Sequence, residues 1–233
     1  VGTFGSFIGF SFAFGQVLQI NFLAGITDGA PATAAQQAQA SLHAAQIAFL
    51  GPLLGSISRP FGGKLADKIG GGKITLYTFV AMVFSTGILV AAGTWDDNTA
   101  GAATGTMMTL FVIGFILLFL LSGIGNGSVY KMIPAIFAAK SVELQDMSIE
   151  EQQHFSRRMS GALIGIAGAI GALGGVGINL VLRASYSGAA KSATTAFWVF
   201  LAFYVVCCAV TWAVYLRKPR VLEGEKTNAS VAV

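Results

Sequence analysis

The chain has 233 residues, 55% of them hydrophobic and only 10% charged, with 14 Lys and Arg against 10 Asp and Glu for a formal net charge of +4. With a mean hydropathy of +0.72, it carries more apolar surface than a soluble fold of this length encloses, which assigns it to the lipid bilayer as a multi-pass protein. The basic residues are spread over several loops and form no stripe with aromatics, which excludes nucleic acid as a partner, and the adjacent Cys207 and Cys208 inside an apolar run supply neither a disulfide framework nor metal spacing.

The first apolar span, residues 1–24, carries no charge and begins at Val1 without a Met or a leader, the expectation being a chain that starts inside a longer protein. It is long enough for a hydrocarbon core of about 30 Å. A polar linker over residues 25–41 precedes a second span, 42–59, which ends on Arg59. A basic, glycine-rich turn over residues 60–73 leads to the third span, 74–93, and then to an acidic loop containing Trp95, Asp96 and Asp97. The fourth span, 106–138, exceeds one straight crossing, so it is tilted, kinked near residues 123–127, or continues beyond the bilayer. A polar connector over residues 140–158 contains Ser148-Ile-Glu-Glu151, the signature of a capping box and of a short surface helix. The fifth span, 160–182, is followed by a small loop and the sixth, 196–216, and the polar tail 217–233 reads as solvated. The predicted organisation is thus one all-α bundle over residues 1–216 with a tail.

The fifth span is the most distinctive. Its glycines at 161, 165, 168, 171, 174, 175 and 177 cost a helix in water roughly 1 kcal/mol each relative to Ala. Gly161, Gly165, Gly168 and Gly175 fall within about a quarter-turn at 100° per residue, leaving one face nearly bare. In lipid such a face admits a second backbone, through tight packing alone, or a small ligand. Charge placement sets the orientation. Lys64, Lys68, Lys73, Lys140, Arg157, Arg158, Arg217, Lys218, Arg220 and Lys226 share one side, whereas the other holds Arg183 and Lys191, so the carboxy terminus is expected in the cytoplasm.

Few polar groups fall at membrane depth. Arg59 either snorkels to the interface or faces a cavity, where its planar fork of donors suits a planar oxyanion better than a lysine does. Lys131 snorkels or joins an anion path, and Asn126, between two glycines, makes a packing hydrogen bond or donates into a cavity. No Asp or Glu lies inside a predicted span, and His43 and His154 fall near opposite faces, so a carboxylate proton relay is not supplied here. No pair of carboxylates, no histidine pair and no nucleophile with a base suggests an enzyme or a cofactor. The GxxGxxGG run follows no strand, which excludes a dinucleotide loop.

These stretches carry a family resemblance. Gly63-Lys-Leu-Ala-Asp67-Lys68-Ile-Gly70-Gly-Gly-Lys73 resembles the G-x-L-A-D-[RK]-x-G-x-x-[RK] loop motif of the major facilitator superfamily, and it falls between the second and third of six spans, where the superfamily repeats it. Gly2-Thr-Phe-Gly-Ser-Phe-Ile-Gly-Phe-Ser11, the run GPLLGSISRPFGG ending at Gly63, and the glycine helix together resemble the nitrate/nitrite porter family, the glycine helix matching the second of its two nitrate signatures. The resemblance implies helices seven to twelve of a twelve-helix transporter in the bacterial inner membrane, with an amino-terminal six-helix half as partner. It implies that Arg59 holds the anion, that Phe4 packs on the anion's flat face, and that Asn126 is a polar cavity position. Gly165, Gly168 and Gly171 match the signature bordering the site. Asp67, within the motif of Gly63, Lys68 and Gly70, matches a carboxylate that latches the inward-closed side. Asn126 and Lys131 depart from the serine and glutamine of bacterial antiporters in the family. The expected function is nitrate/nitrite exchange, with proton-coupled nitrate symport and a non-transporting six-helix module as alternatives.

Overall fold

A computed structural model describes residues 2–27, 30–142, 148–189 and 191–217. The described residues form seven α-helices, α1 (Gly2–Thr27), α2 (Ala34–Ala48), α3 (Leu50–Ile69), α4 (Gly71–Asp97), α5 (Gly105–Val142), α6 (Ile149–Ser187) and α7 (Thr194–Thr211), the last continued by a π turn over Trp212–Leu216. No strand occurs among the described residues. Six of the helical stretches are long and apolar enough to cross a membrane, with α2 and α3 counted as one and α7 taken together with its π turn. All but Arg217 of the tail, and residues 143–147 of the connector, lie outside the described residues.

The helices run longer than their apolar cores because polar caps and glycines, rather than hydropathy, set the ends. Helix α2 begins within the stretch expected as linker, where Thr33 accepts the Gln36 N–H at 3.3 Å and the Gln36 side chain accepts the Thr33 N–H at 2.9 Å. The interruption at Phe49 falls where Pro52 offers no N–H to the Ala48 carbonyl. The expected turn over residues 60–73 contracts to Gly70, whose φ of 100° favours glycine. Helix α5 passes through residues 123–127 and Pro134 without a break; at 1.5 Å per residue it is roughly 57 Å long and extends past the bilayer. The capping box at Ser148 and Glu151 is present, and the Ser148 N–H and hydroxyl hold the Glu151 carboxyl below the usual carboxylate range. It starts no short surface helix. Helix α6 runs on from it through the glycine-rich stretch, since residues 149–160 contain no glycine or proline to stop it.

Lipid removes the hydrophobic drive between helices, leaving packing and interhelical hydrogen bonds to hold them. The tightest seam joins α3 to α5. A Cβ on Gly62 would meet the Ile124 carbonyl, one on Gly123 the Gly55 carbonyl, and one on Gly127 the Arg59 carbonyl. Aromatic rings fill the space between α1, α5 and α7, with Phe14 stacked on Phe115 at 4.9 Å and Phe10 edge-on to both Phe115 and Phe200. Two hydroxyls pin the first turns of α1: Ser122 donates to the Thr3 carbonyl and Tyr204 to the Ser6 hydroxyl, each at 2.6 Å. Polar groups at this depth have no water to turn to, so such pairings are structural requirements.

The bare face of α6 is used over only part of its length. A Cβ on Gly171 would press on Phe4 and one on Gly175 on Ile8, and Gly5 approaches Gly171 and Gly174. Among the described residues, Gly161 and Gly165 have nothing within 4 Å of a Cβ position, and Gly168 has only the Tyr130 hydroxyl at 3.9 Å. Helices that cross at an angle touch near one point and splay beyond it. The glycines before residue 171 therefore line an open side of this bundle.

Candidate functional site

Helix α3 carries Arg59 at a level where its carbonyl abuts Gly127 of α5. Its side chain reaches across to α1, where the guanidinium carbon stands 4.3 Å from the centroid of the Phe7 ring. A cation over an aromatic face gains about 0.5 to 2 kcal/mol, depending on how dry the site is. Among the described residues the buried Nε atom has no hydrogen-bond partner. Among the described residues no carboxylate lies within ion-pair distance of this charge. The arginine is therefore ordered by a ring and left uncompensated, a state that an anion corrects.

Phe4 lies three residues before Phe7, so the two rings share one face of α1. Phe4 packs on Gly171 of α6 and meets the Tyr130 ring of α5 edge to face, with centroids 6.1 Å apart. The Tyr130 hydroxyl points toward Gly168. Arg59, Phe7, Phe4, Tyr130, Gly168 and Gly171 therefore form one continuous wall built from four helices. Gly165 continues it on the open side of α6 with no neighbour of its own.

Asn126 lies apart from that open surface. It is 1% exposed, enclosed one turn before Tyr130 on α5, and neither its amide nitrogen nor its amide oxygen has a partner among the described residues. Lys131 does not join the wall. Its ammonium lies 3.4 Å from a carboxylate oxygen of Asp67, both side chains being more than half exposed. Lys68, Gly70 and Tyr215 line the same hollow of about 380 Å³. A Cβ on Gly63 of α3 would stand 3.8 Å from the Gly127 carbonyl. The loop-motif residues thus gather at one end of the α3/α5 pair, away from Phe7. A larger cavity of about 660 Å³ runs between α1 and α6, apolar along Ile8, Phe12 and Val176 and polar at Gln16, Asn179 and Arg183. None of the residues expected to hold the anion lines it.

Phe7 and Tyr130 were not singled out by the sequence. Both sit in apolar runs, where an aromatic reads as a lipid-facing residue. The available signals were the three-residue spacing of Phe4 and Phe7, and a tyrosine, which carries a polar handle, within a span.

No family model matches the chain. The nitrate/nitrite transporter NarU of Salmonella typhimurium is 33% identical over 230 residues, covering 94% of this chain and 43% of its own length. The NarU of Escherichia coli is 32% identical over 227 residues, covering 94% and 42%. A probable nitrate/nitrite antiporter, NarK2 of Thermus thermophilus, is 30% identical over 217 residues, covering 93% and 40%. The chain spans less than half the length of each of these relatives.

Proposed function

The chain belongs to the nitrate/nitrite porter family of the major facilitator superfamily, and from that premise we propose that it forms a six-helix half of a secondary carrier that exchanges nitrate for nitrite by alternating access. The observation that carries this reading is Arg59, a guanidinium set on an aromatic face with a buried, unpartnered Nε and no carboxylate nearby. Nitrate and nitrite are flat monoanions. A guanidinium fork grips two oxygens of such an anion while a ring covers its face. Arg59 takes the charge, Phe4 and Phe7 form the aromatic surface, and Gly165, Gly168 and Gly171 keep the opposite wall free of side chains. Asn126 contributes when the helices part, since it is enclosed in this conformation.

The wall is open on one side, and the amino-terminal six-helix half of the carrier closes it, with a second cation and the remaining donors. Residues 1–216 form the membrane bundle, and the carboxy-terminal tail lies in the cytoplasm of a bacterial cell, with the carrier in the inner membrane. An empty site with uncompensated arginine charge reorients poorly across the bilayer. Loading either anion neutralises it and permits rocking, which makes exchange the natural mode.

The test is nitrate entry into proteoliposomes that hold this chain with its amino-terminal half, preloaded with nitrite or left empty, with and without a pH gradient. Exchange requires internal nitrite and ignores the gradient. Entry that follows the gradient without internal anion makes the carrier a proton symporter. Arg59→Lys keeps the charge but loses the planar fork and the ring stack, and transport is expected to drop at least about a hundredfold, the loss of one or two charge-assisted hydrogen bonds, with membrane insertion intact. Wild-type rates in that variant would remove Arg59 from the site.

A further inference from the structure

We propose that the Tyr130 phenol is a substrate donor that addresses the third oxygen of nitrate and so sets the preference between nitrate and nitrite; this rests on the carrier reading above. Tyr130 is half-buried on the inner side of α5, its ring held edge-on by Phe4 at 6.1 Å. Among the described residues its hydroxyl makes no hydrogen bond, and 3.9 Å beyond it is the position where a Gly168 Cβ would stand. Gly168 leaves that space open. A larger residue there would close the gap in front of the phenol.

Several other hydroxyls around the wall are already engaged. Ser6 donates to the Gly2 carbonyl and accepts from Tyr204, Ser11 donates to the Phe7 carbonyl, Ser58 to the Gly55 and Leu120 carbonyls, and Ser122 to the Thr3 carbonyl. Backbone N–H groups within these helices are used by the helices themselves. Asn126 has no surface to offer. Tyr130 is thus a free neutral donor on the wall, with the aromatic pair of α1 between it and the arginine.

The spacing gives it a distinct task. Phe7 underlies Arg59 and Phe4 abuts Tyr130, and residues three apart on a helix are about 4.5 Å apart along its axis. An anion lying over this pair meets the guanidinium at one edge and the phenol at the other. The bidentate fork takes two oxygens. Nitrite presents only its nitrogen lone pair on that side, a weaker acceptor set back by one N–O bond, whereas nitrate has a third oxygen, directed away from the fork toward the phenol. A hydroxyl hydrogen bond to an ionised acceptor is among the stronger ones, and an analogue lacking the acceptor forfeits it.

Tyr130→Phe keeps the ring against Phe4 and removes only the O–H, so folding is preserved and a matching thermal midpoint checks this. Apparent KM for nitrate and for nitrite is measured separately in the two-half proteoliposomes. The expected result is a nitrate KM raised about tenfold, the loss of one charge-assisted hydrogen bond, with a clearly smaller rise for nitrite. Equal rises for both anions, or no change in either, overturn the proposal. A wild-type carrier that moves neither anion overturns the carrier reading itself, and with it this assignment, and is told apart by needing no variant.

Discussion

At Asn126 the fold carries a cost that its packing does not explain. The side chain is 1% exposed and both of its amide atoms lack partners among the described residues, and an unsatisfied buried polar group costs about 1 to 3 kcal/mol. Asn126→Ala removes both orphaned atoms and leaves only a small void. Its thermal midpoint in detergent is therefore expected to equal or exceed that of the wild type, while transport falls. A midpoint lower by several degrees would mean that the amide holds the bundle together through a bond not seen here, and the residue would be structural. The sequence could flag Asn126 because an amide between two glycines in a span is rare. It could not say whether the group faced a cavity, since that depends on the rotation of α5 against α1, and that rotation is set by contacts such as Ser122 to the Thr3 carbonyl that leave no periodic trace. Arg59 was legible for the opposite reason: a lone charge at the end of an apolar run stands out whatever the packing.

Glycine has two different uses among these helices, and they answer differently to the same substitution. On α5, Gly123 and Gly127 press against backbone carbonyls of α3, which cannot move aside. Gly127→Ala would drive a methyl group into the Arg59 carbonyl, and overpacking of this kind costs about 1 to 3 kcal/mol or more. Gly165→Ala meets nothing and adds helix propensity of roughly 1 kcal/mol. Protein yield and thermal midpoint should therefore fall for Gly127→Ala and hold or rise for Gly165→Ala, and any loss of transport in the latter belongs to the anion path. If both variants destabilise equally, the open side of α6 is occupied by packing after all. The glycine-rich α6 drew attention because its glycines are many. The tighter α3/α5 seam rests on fewer, and its signal was the four-residue spacing of Gly51 with Gly55 and of Gly123 with Gly127. The number and order of membrane-length spans were readable from hydropathy. The true ends were not, because caps at Thr33 and Ser148 and the single-residue turn at Gly70 lie outside the apolar periodicity.

For the whole molecule, the pairing of Lys131 with Asp67 bears on how the two ends of the bundle divide the work. The pair joins α5 to α3 within this half, two helices already fixed by the seam through Gly62 and Gly127. An exposed ion pair contributes about 0 to 1 kcal/mol, so its part in holding the half together is minor. Its position is the more telling feature: it sits beside the Gly70 turn and the start of α4, and Lys131 is engaged there and not with the anion wall. A carboxylate held by Lys131 is oriented but also partly neutralised. Under the proposed carrier reading, with Asp67 as a latch toward the amino-terminal half, Lys131→Gln releases that carboxylate and increases the charge it brings to the latch. The consequence falls on the rate of opening at that end and leaves anion affinity alone. Counterflow in the two-half proteoliposomes should show a Vmax changed by about threefold or more at an unaltered KM, since 0.7 kcal/mol, well within the range of an exposed pair, is a factor of about three. Asp67→Asn should abolish any further effect of Lys131→Gln, because the lysine acts only through that carboxylate. A raised KM in Lys131→Gln, persisting in the double variant, would instead put the ammonium on the anion path.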